Sequence, residues 1–170
     1  LLHDVSNRQR FAREGELLAR LSHPNIARLL DAGTSDEGAR YLVLEYVDGV
    51  ALGDYCAGEG LGIEATIKLF CQAVDAVAYS HAQLILHRDI KPGNMLVTAD
   101  GQLKLLDFGL GKLLQEDEEP LVVAADMTRM LGIGYTPRYA SPEQMRGSGM
   151  TTASDVYSLG VTLYELLTGA

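Results

Sequence analysis

The chain has 170 residues, of which 47% are hydrophobic, and a formal net charge of −9 at pH 7. This length is sufficient for one compact domain with its own core and too short for two large ones. The acidic balance argues against a general electrostatic attraction to nucleic acid or anionic lipid, so any phosphate group must be bound locally.

The cysteines and the hydropathy of the sequence argue against disulfide bonds, a zinc site or a membrane span within this sequence. Cys56 and Cys71 are the only cysteines, and neither belongs to a CxxC pair or has a histidine at metal-ligand spacing. We therefore expect reduced thiols in a cytoplasmic protein. No run approaches the roughly 18 apolar residues that a membrane-spanning helix needs, so no membrane span is predicted within this sequence, although a full-length parent could be anchored elsewhere.

The first predicted element is a helix from Ser6 to about Leu21. Ser6 and Gln9 match a capping box, and His23-Pro24 ends the helix. At ~100° per residue, Glu14 lies in the middle of the apolar face of this helix.

The position of Glu14 needs an explanation, because a carboxylate among apolar side chains requires a cation or several hydrogen-bond donors. The chain has no lysine before Lys68. Two interpretations remain open from the residues alone. Either Glu14 lies at an exposed edge, or its partner lies on sequence that this chain does not contain.

A β-hairpin is predicted next. The segments Ile26–Ala32 and Arg40–Val47 are rich in branched and aromatic residues, and they flank a turn-like segment at 33–38. Asp48-Gly49 then breaks the second strand.

A long amphipathic helix is predicted from Ile63 to His81. Its apolar stripe recurs at intervals of three and four residues and consists of Ile63, Ile67, Phe70, Val74, Val77 and His81. His81 on this stripe is interpreted as a core histidine rather than a ligand.

Short apolar strands are predicted after this helix, at Leu84–Leu86, Met95–Val97 and Leu103–Leu106. Asp100-Gly101 is the expected turn between the last two. A buried helix from Ser154 to Thr168 is predicted to follow, with Ser154 as its cap, Asp155 in its first turn and Gly169 after its end.

Four polar residues near these strand ends match the requirements of phosphoryl transfer. Moving a phosphoryl group from ATP to an alcohol requires metal ions on the phosphates and a carboxylate that orients the hydroxyl. Asp89 would orient or accept the hydroxyl proton, while Asn94 and Asp107 would supply oxygen ligands to two Mg²⁺ ions. Lys91 would neutralise charge on the transferred group. Taken singly, these residues prove little.

The set as a whole resembles the protein kinase signature. His87–Asn94 reads HRDIKPGN, with Ile in place of the usual Leu, Asp107–Gly109 is DFG, and Ser141–Glu143 stands in the place of Ala-Pro-Glu. The resemblance runs over essentially the whole chain. Lys91 within the loop is typical of the serine/threonine branch, and the runs HPNIARLLDAG and YASPEQ resemble the bacterial members.

The resemblance implies an α+β, protein-kinase-like bilobal fold. Residues 1–47 would form an incomplete small lobe of one helix and hairpin strands, and residues 48–170 most of a mainly helical large lobe. It also implies ATP and Mg²⁺ as cofactors, Ser and Thr hydroxyls of proteins as acceptors, possible autophosphorylation and a cytoplasmic kinase domain.

The resemblance gives Glu14 a role as the glutamate of the family's helix C, which pairs with an ATP-binding lysine on a preceding strand. Neither that lysine nor a glycine-rich loop precedes Glu14 in this sequence. We therefore expect a domain truncated at both ends, and we expect the 170 residues alone not to catalyse.

The segment Tyr41–Val47 resembles the hinge of the family, although by itself it is typical of any hydrophobic strand. Backbone groups of Glu45 and Val47 would then bind adenine, Leu44 would be the gatekeeper, and Leu96 would pack beneath the base.

The resemblance also places His87, Phe108 and Leu18 in the family's hydrophobic stack, with Asp155 anchoring His87 from below. Plain core packing of these side chains is compatible with that reading.

Regulatory roles follow for three further residues. Arg88 would hold a phosphorylated activation loop, although a simple salt bridge to Asp89 is the alternative. Thr128 is the expected phosphoacceptor, and Thr136 the substrate-facing threonine that contacts Asp89. The family usually has Gly directly before this threonine, where this chain has Tyr135.

Two other functions were weighed against a protein kinase. A pseudokinase or docking module would keep the fold without turnover, but a pure scaffold has no physical need for all four of Asp89, Lys91, Asn94 and Asp107. A small-molecule kinase of the same fold would lack a segment like Ser141–Glu143.

Overall fold

The computed structural model of the chain describes residue 15 and residues 18–36, 38–108 and 136–169. Small antiparallel sheets and helices share one core, so the predicted α+β class is confirmed. Of the predicted helix from Ser6 to Leu21, the described residues Gly15, Leu18 and Ala19 are helical. The division into lobes at residue 47 stays a prediction.

The predicted hairpin is confirmed with different bounds. Strand β1 (Leu29–Thr34) pairs antiparallel with β2 (Arg40–Leu44), with a bulge after Leu29. Gly33 belongs to the strand rather than the turn and lies opposite Tyr41. A Cβ at Gly33 would lie 2.5 Å from the Tyr41 hydroxyl, so the ring can cover this position only because the residue is glycine.

A second sheet has the order β3 (Gly49–Ala51), β4 (Met95–Thr98) and β5 (Leu103–Leu105), all antiparallel. The strands predicted at Met95 and Leu103 are thus confirmed. Strand β3 was not predicted, because Asp48-Gly49 was interpreted only as a break. Gly49 instead allows a close approach, since a Cβ there would lie 2.8 Å from the carbonyl oxygen of Val97.

The helices are α1 (Leu52–Gly58), α2 (Ile63–Ala82), α3 (Pro142–Met145) and α4 (Thr152–Thr168), with a 3-10 turn at Pro92–Asn94. Gly169 ends α4 in the left-handed conformation, as predicted. Its N-cap residue is Thr151 rather than Ser154. Ser154 is the third residue of the capping box, and its Oγ accepts the Thr151 N–H at 3.2 Å. No helix of the described segments is both long and apolar enough to span a membrane.

The bounds of α2 match the prediction, but its predicted buried stripe is partly wrong. Ile63, Ile67 and Val74 are exposed. The buried side chains are mostly small, namely Thr66, Phe70, Ala73, Ala76, Val77 and Ser80. Small residues let α2 pack closely on α4 and β5, and an apolar periodicity based on large side chains does not detect such a face.

One core joins the two sheets. The backbone of Asn25 and Ala27 exchanges hydrogen bonds with Leu105, which attaches the segment before β1 to β5. The fully buried large side chains are Ile26, Leu52, Ile90, Met95, Leu103 and Leu105. The HRDIKPGN segment and the predicted hinge segment therefore pack on the same hydrophobic core.

The strand predicted at Leu84–Leu86 is wrong, because these residues form a turn and an extended segment after α2. Leu84 has φ 62° and its side chain is 94% exposed. A residue with a Cβ is strained in this left-handed region, and Leu84 gains no burial in return.

We predict that Leu84→Gly raises the free energy of unfolding by about 1 kcal/mol, because the strain of the Cβ outweighs the added flexibility of the unfolded chain. Thermal unfolding of the full-length protein measures this change. Leu84→Ala is the matched control and should leave the midpoint unchanged, since alanine keeps the Cβ. Equal effects of both substitutions would contradict the explanation.

Candidate active site

The loop with the HRD motif is held by one buried carboxylate. Asp155 of α4 is 2% exposed, and it accepts the backbone N–H of His87 at Oδ2 and that of Arg88 at Oδ1, each at 2.9 Å. His81 Nε2 of α2 lies 2.7 Å from the same Oδ2. His81 is therefore more than a core side chain, because it pairs with a buried carboxylate. Several donors are what a buried carboxylate requires.

Arg88 has φ 74°, so the chain turns sharply between His87 and Asp89. The backbone strain is sustained because the Asp155 carboxylate fixes the peptide groups before and at the turn. This turn directs the Asp89 side chain away from the core.

Both oxygens of the Asp89 carboxylate have partners. Lys91 Nζ donates to Oδ2 at 2.6 Å, and Asn94 Nδ2 lies 3.2 Å from the same oxygen. The backbone N–H of Thr136 donates to Oδ1 at 2.9 Å. Lys91 Nζ also donates to Thr136 Oγ1 at 2.7 Å. The structure therefore brings together Asp89, Lys91, Asn94 and Thr136 from two distant segments.

Asn94 and Asp107 lie on adjoining backbone. The Leu106 N–H donates to the Asn94 carbonyl at 2.8 Å, and Asp107 follows with φ 60° and an exposed side chain. The Asn94 amide nitrogen also donates to the Asp89 carbonyl at 2.8 Å, which leaves Oδ1 without a hydrogen bond within the described part of the chain. An amide oxygen and a carboxylate fit a divalent ion that keeps most of its ligands as phosphate and water oxygens.

Across the described ranges, no group of three or more His, Cys, Asp or Glu residues is arranged to hold a metal. A fully protein-coordinated metal centre is therefore not present in that part. The donor pair of Asn94 and Asp107 is instead the kind of open site that a nucleotide-bound ion occupies.

His87 packs against Phe108 with ring centroids 4.5 Å apart, and Leu18 belongs to the same core. Burial lowers the pKa of His87, because the charged ring would lose its hydration. The neutral ring accepts the Asp89 N–H at Nδ1 at 3.3 Å. The predicted stack is therefore in contact with the backbone of Asp89.

A cleft of about 250 Å³ lies beside this site. Its lining brings the predicted hinge together with residues from the second sheet and consists of Ala27, Leu44, Glu45, Tyr46, Val47, Leu96, Leu106 and Asp107. Ala27 and Leu106 were missed in the sequence. The position of Leu106 directly before Asp107 was a usable signal, whereas nothing in the pattern around Ala27 indicated a cleft.

The Glu45 side chain ties the predicted hinge segment to neighbouring elements. Its carboxylate accepts from Lys104 Nζ at 2.9 Å and from the Arg28 N–H at 3.0 Å. The hydrogen bond from Lys104 is the main cause of the lowered pKa of Glu45. The Glu45 N–H donates to the Arg28 carbonyl at 2.8 Å. Within the described ranges, the Glu45 carbonyl and the Val47 N–H have no backbone partner and remain available to a ligand.

The segment that carries Thr136 is attached to α4. Ser154 Oγ donates to Glu143 at 2.6 Å and is the main cause of the lowered pKa of Glu143. Ser158 Oγ donates to the Tyr139 carbonyl at 2.8 Å. The Tyr139 hydroxyl donates to Glu165 at 2.6 Å, and burial together with this carboxylate raises the pKa of Tyr139 to about 12.

Three predicted site residues remain, namely Glu14, Thr128 and Arg88. Glu14 and Thr128 lie outside the described residues. Arg88 makes no salt bridge to Asp89 within the described chain, where Asp89 pairs with Lys91 instead. The buried Nε of Arg88 has no hydrogen-bond partner there either.

The whole sequence was compared with known proteins. Residues 2–170 match the family model of the protein kinase domain. The chain is 37% identical over 173 aligned positions to the serine/threonine-protein kinase PknB of Mycobacterium leprae, which covers 99% of this chain and 27% of that protein.

Two further relatives come from other bacteria. The probable serine/threonine-protein kinase PknB of Lactococcus lactis is 39% identical, covering 94% of this chain and 24% of that protein. The serine/threonine-protein kinase PrkC of Bacillus subtilis is 38% identical, covering 95% and 24%. The chain thus spans about a quarter of the length of these curated relatives.

Proposed function

The chain belongs to the protein kinase family, and from that premise we propose that the protein transfers the γ-phosphoryl group of ATP to serine and threonine hydroxyls of proteins. The observation that carries the proposal is the Asp89 carboxylate, which is held at both oxygens by hydrogen bonds from Lys91 and from the backbone of Thr136. Relatives of similar sequence are named serine/threonine-protein kinases.

Asp89 is the proposed catalytic residue. Its carboxylate orients the acceptor hydroxyl and takes its proton as the oxygen attacks the γ-phosphorus and the bond to the leaving diphosphate breaks. Lys91, with its Nζ 2.6 Å from Asp89, supplies positive charge beside the transferred group. Thr136 Oγ1 accepts a second hydrogen bond from the Lys91 ammonium at 2.7 Å, which holds the lysine in the site.

The nucleotide is proposed to bind in the cleft between the sheets. The Glu45 carbonyl and the Val47 N–H would bind the adenine edge, with Leu44 behind the base and Leu96 beneath it. Asn94 Oδ1 and the Asp107 carboxylate would hold Mg²⁺, which neutralises phosphate charge when bound.

The pseudokinase alternative is not favoured, because Lys91, Asn94 and Thr136 all lie within hydrogen-bonding distance of the Asp89 carboxylate, an arrangement that a scaffold does not need. The kinase domain is proposed to act in the cytoplasm, where ATP is available, on protein substrates that include its own chain. Glu14 is proposed to be the helix C glutamate.

Activation is proposed to depend on Arg88 and Thr128. The buried Nε of Arg88 has no partner in the described chain, and a guanidinium binds phosphate in a bidentate manner. Thr128 is the only serine or threonine between Asp107 and Thr136, so it is the one hydroxyl in that loop of a type that such an enzyme modifies.

We predict that Asp89→Asn lowers kcat by ~10²- to 10⁴-fold, because the amide cannot accept the proton. The measurement is transfer of labelled phosphate from ATP to an acceptor protein by the full-length protein. Asp100→Asn is the control, since Asp100 lies in the exposed turn between β4 and β5 and should leave kcat unchanged. Wild-type turnover by the Asp89 variant would refute the proposed role.

We predict that Thr128→Ala lowers kcat by ~10-fold or more, because Arg88 then lacks a phosphate to bind. Mass spectrometry of the active wild-type protein should locate phosphate on Thr128. Unchanged turnover of the alanine variant, or an active protein without phosphate at this residue, would remove Thr128 from the proposal.

A further inference from the structure

Gln144 forms hydrogen bonds with both ends of its side-chain amide. It lies in α3 and is 6% exposed. Its Nε2 donates to the carbonyl of Arg88 at 2.8 Å, and its Oε1 accepts the N–H of Ser141 at 3.0 Å. One amide therefore connects the catalytic loop to the segment that carries Thr136.

The contact with Arg88 falls on the strained residue of the loop. Arg88 has φ 74°, and its own N–H is already bound by Asp155. Gln144 binds the carbonyl on the other side of the same residue. The peptide groups on both sides of the left-handed turn are thus fixed by side chains from α3 and α4, and the next residue is Asp89.

We propose that Gln144 is a positioning residue for phosphoryl transfer, which rests on the proposed function above. By holding the Arg88 carbonyl, it keeps the turn in its left-handed form. By binding the Ser141 N–H, it keeps the segment from Thr136 onward in its position next to the HRD loop. Asp89 accepts the Thr136 N–H in this arrangement. Loss of the two hydrogen bonds of Gln144 therefore displaces both Asp89 and Thr136.

A purely structural role in capping α3 can be separated from this one. The capping box uses Ser141 and the Gln144 Oε1, whereas the Nε2 donates only to Arg88 within the described chain. Glutamate at this position keeps the cap, because Glu and Gln serve equally at the third position of a capping box. Gln144→Glu therefore keeps the cap but replaces the donor to Arg88 by a carboxylate oxygen, which repels the Arg88 carbonyl and adds the cost of a buried charge.

The first test is steady-state kinetics of the full-length protein carrying Gln144→Glu. We expect kcat to fall ~10-fold, as for loss of one buried hydrogen bond, while KM for ATP stays within about twofold, because the cleft residues lie on other elements. Gln144→Met, which loses both bonds at similar volume, should lower kcat at least as much. Wild-type kcat in Gln144→Glu, or an equal rise in KM for ATP, would overturn the proposal.

The second test uses residue 88 itself. Arg88→Gly and Arg88→Ala both lack the guanidinium, but only glycine adopts a positive φ without strain. In the Arg88→Ala background, adding Gln144→Glu should lower kcat by ~10-fold. In the Arg88→Gly background, the same substitution should lower kcat by about twofold or less. The same cost in both backgrounds would mean that Gln144 does not act through the turn.

A measurement without turnover separates this proposal from the proposed function. Hydrogen exchange of the Asp89 N–H, which His87 Nδ1 accepts, should be ~10-fold faster in Gln144→Glu than in the wild-type protein. Unchanged exchange overturns the positioning role even if the protein is an active kinase. Faster exchange in a protein that transfers no phosphate supports the positioning role of Gln144 and refutes the kinase proposal.

Discussion

The buried carboxylate of Asp155 is the interaction on which the rest of the site depends. A carboxylate with 2% exposure is costly unless donors surround it, and here the donors come from α2 and from the backbone of His87 and Arg88. The Asp155 carboxylate and the loop at His87 and Arg88 depend on each other. The carboxylate needs the loop in order to be buried, and the loop needs the carboxylate to keep its turn.

The chemistry of the site follows from that turn. Arg88 and Asp107 are two of the three non-glycine residues of the described chain with positive φ, and one precedes Asp89 while the other is a proposed metal ligand. At Arg88, surrounding contacts offset the strain of the backbone. Side chains from α3 and α4 provide those contacts, so the helical part of the molecule fixes the turn directly before Asp89.

Sequence indicated which polar residues meet at Asp89 better than it indicated the packing. The residue types at Asp89, Lys91, Asn94 and Asp107 are those that the proposed reaction requires, and they lie close enough in sequence to be recognised. The buried face of α2 was misjudged, because small residues such as Ala73 reveal their burial only when the neighbouring elements are known. Leu84 was placed in a strand because its side chain is apolar, whereas the helix end before it imposes a turn. Gln144 and Ala27 lie in runs that resemble the family, but the resemblance does not predict their contacts, because these join segments far apart in sequence.

Turnover by Asp155→Asn tests the dependence on this carboxylate most directly. An amide presents one acceptor oxygen, so either His87 or Arg88 loses the partner of its buried N–H. At temperatures where the variant is folded, the account predicts that kcat is ~10- to 100-fold lower than in the wild-type protein. KM for ATP is expected to be unchanged. A folded Asp155→Asn protein with wild-type kcat would show that the turn at Arg88 does not need its anchor, and would contradict the account.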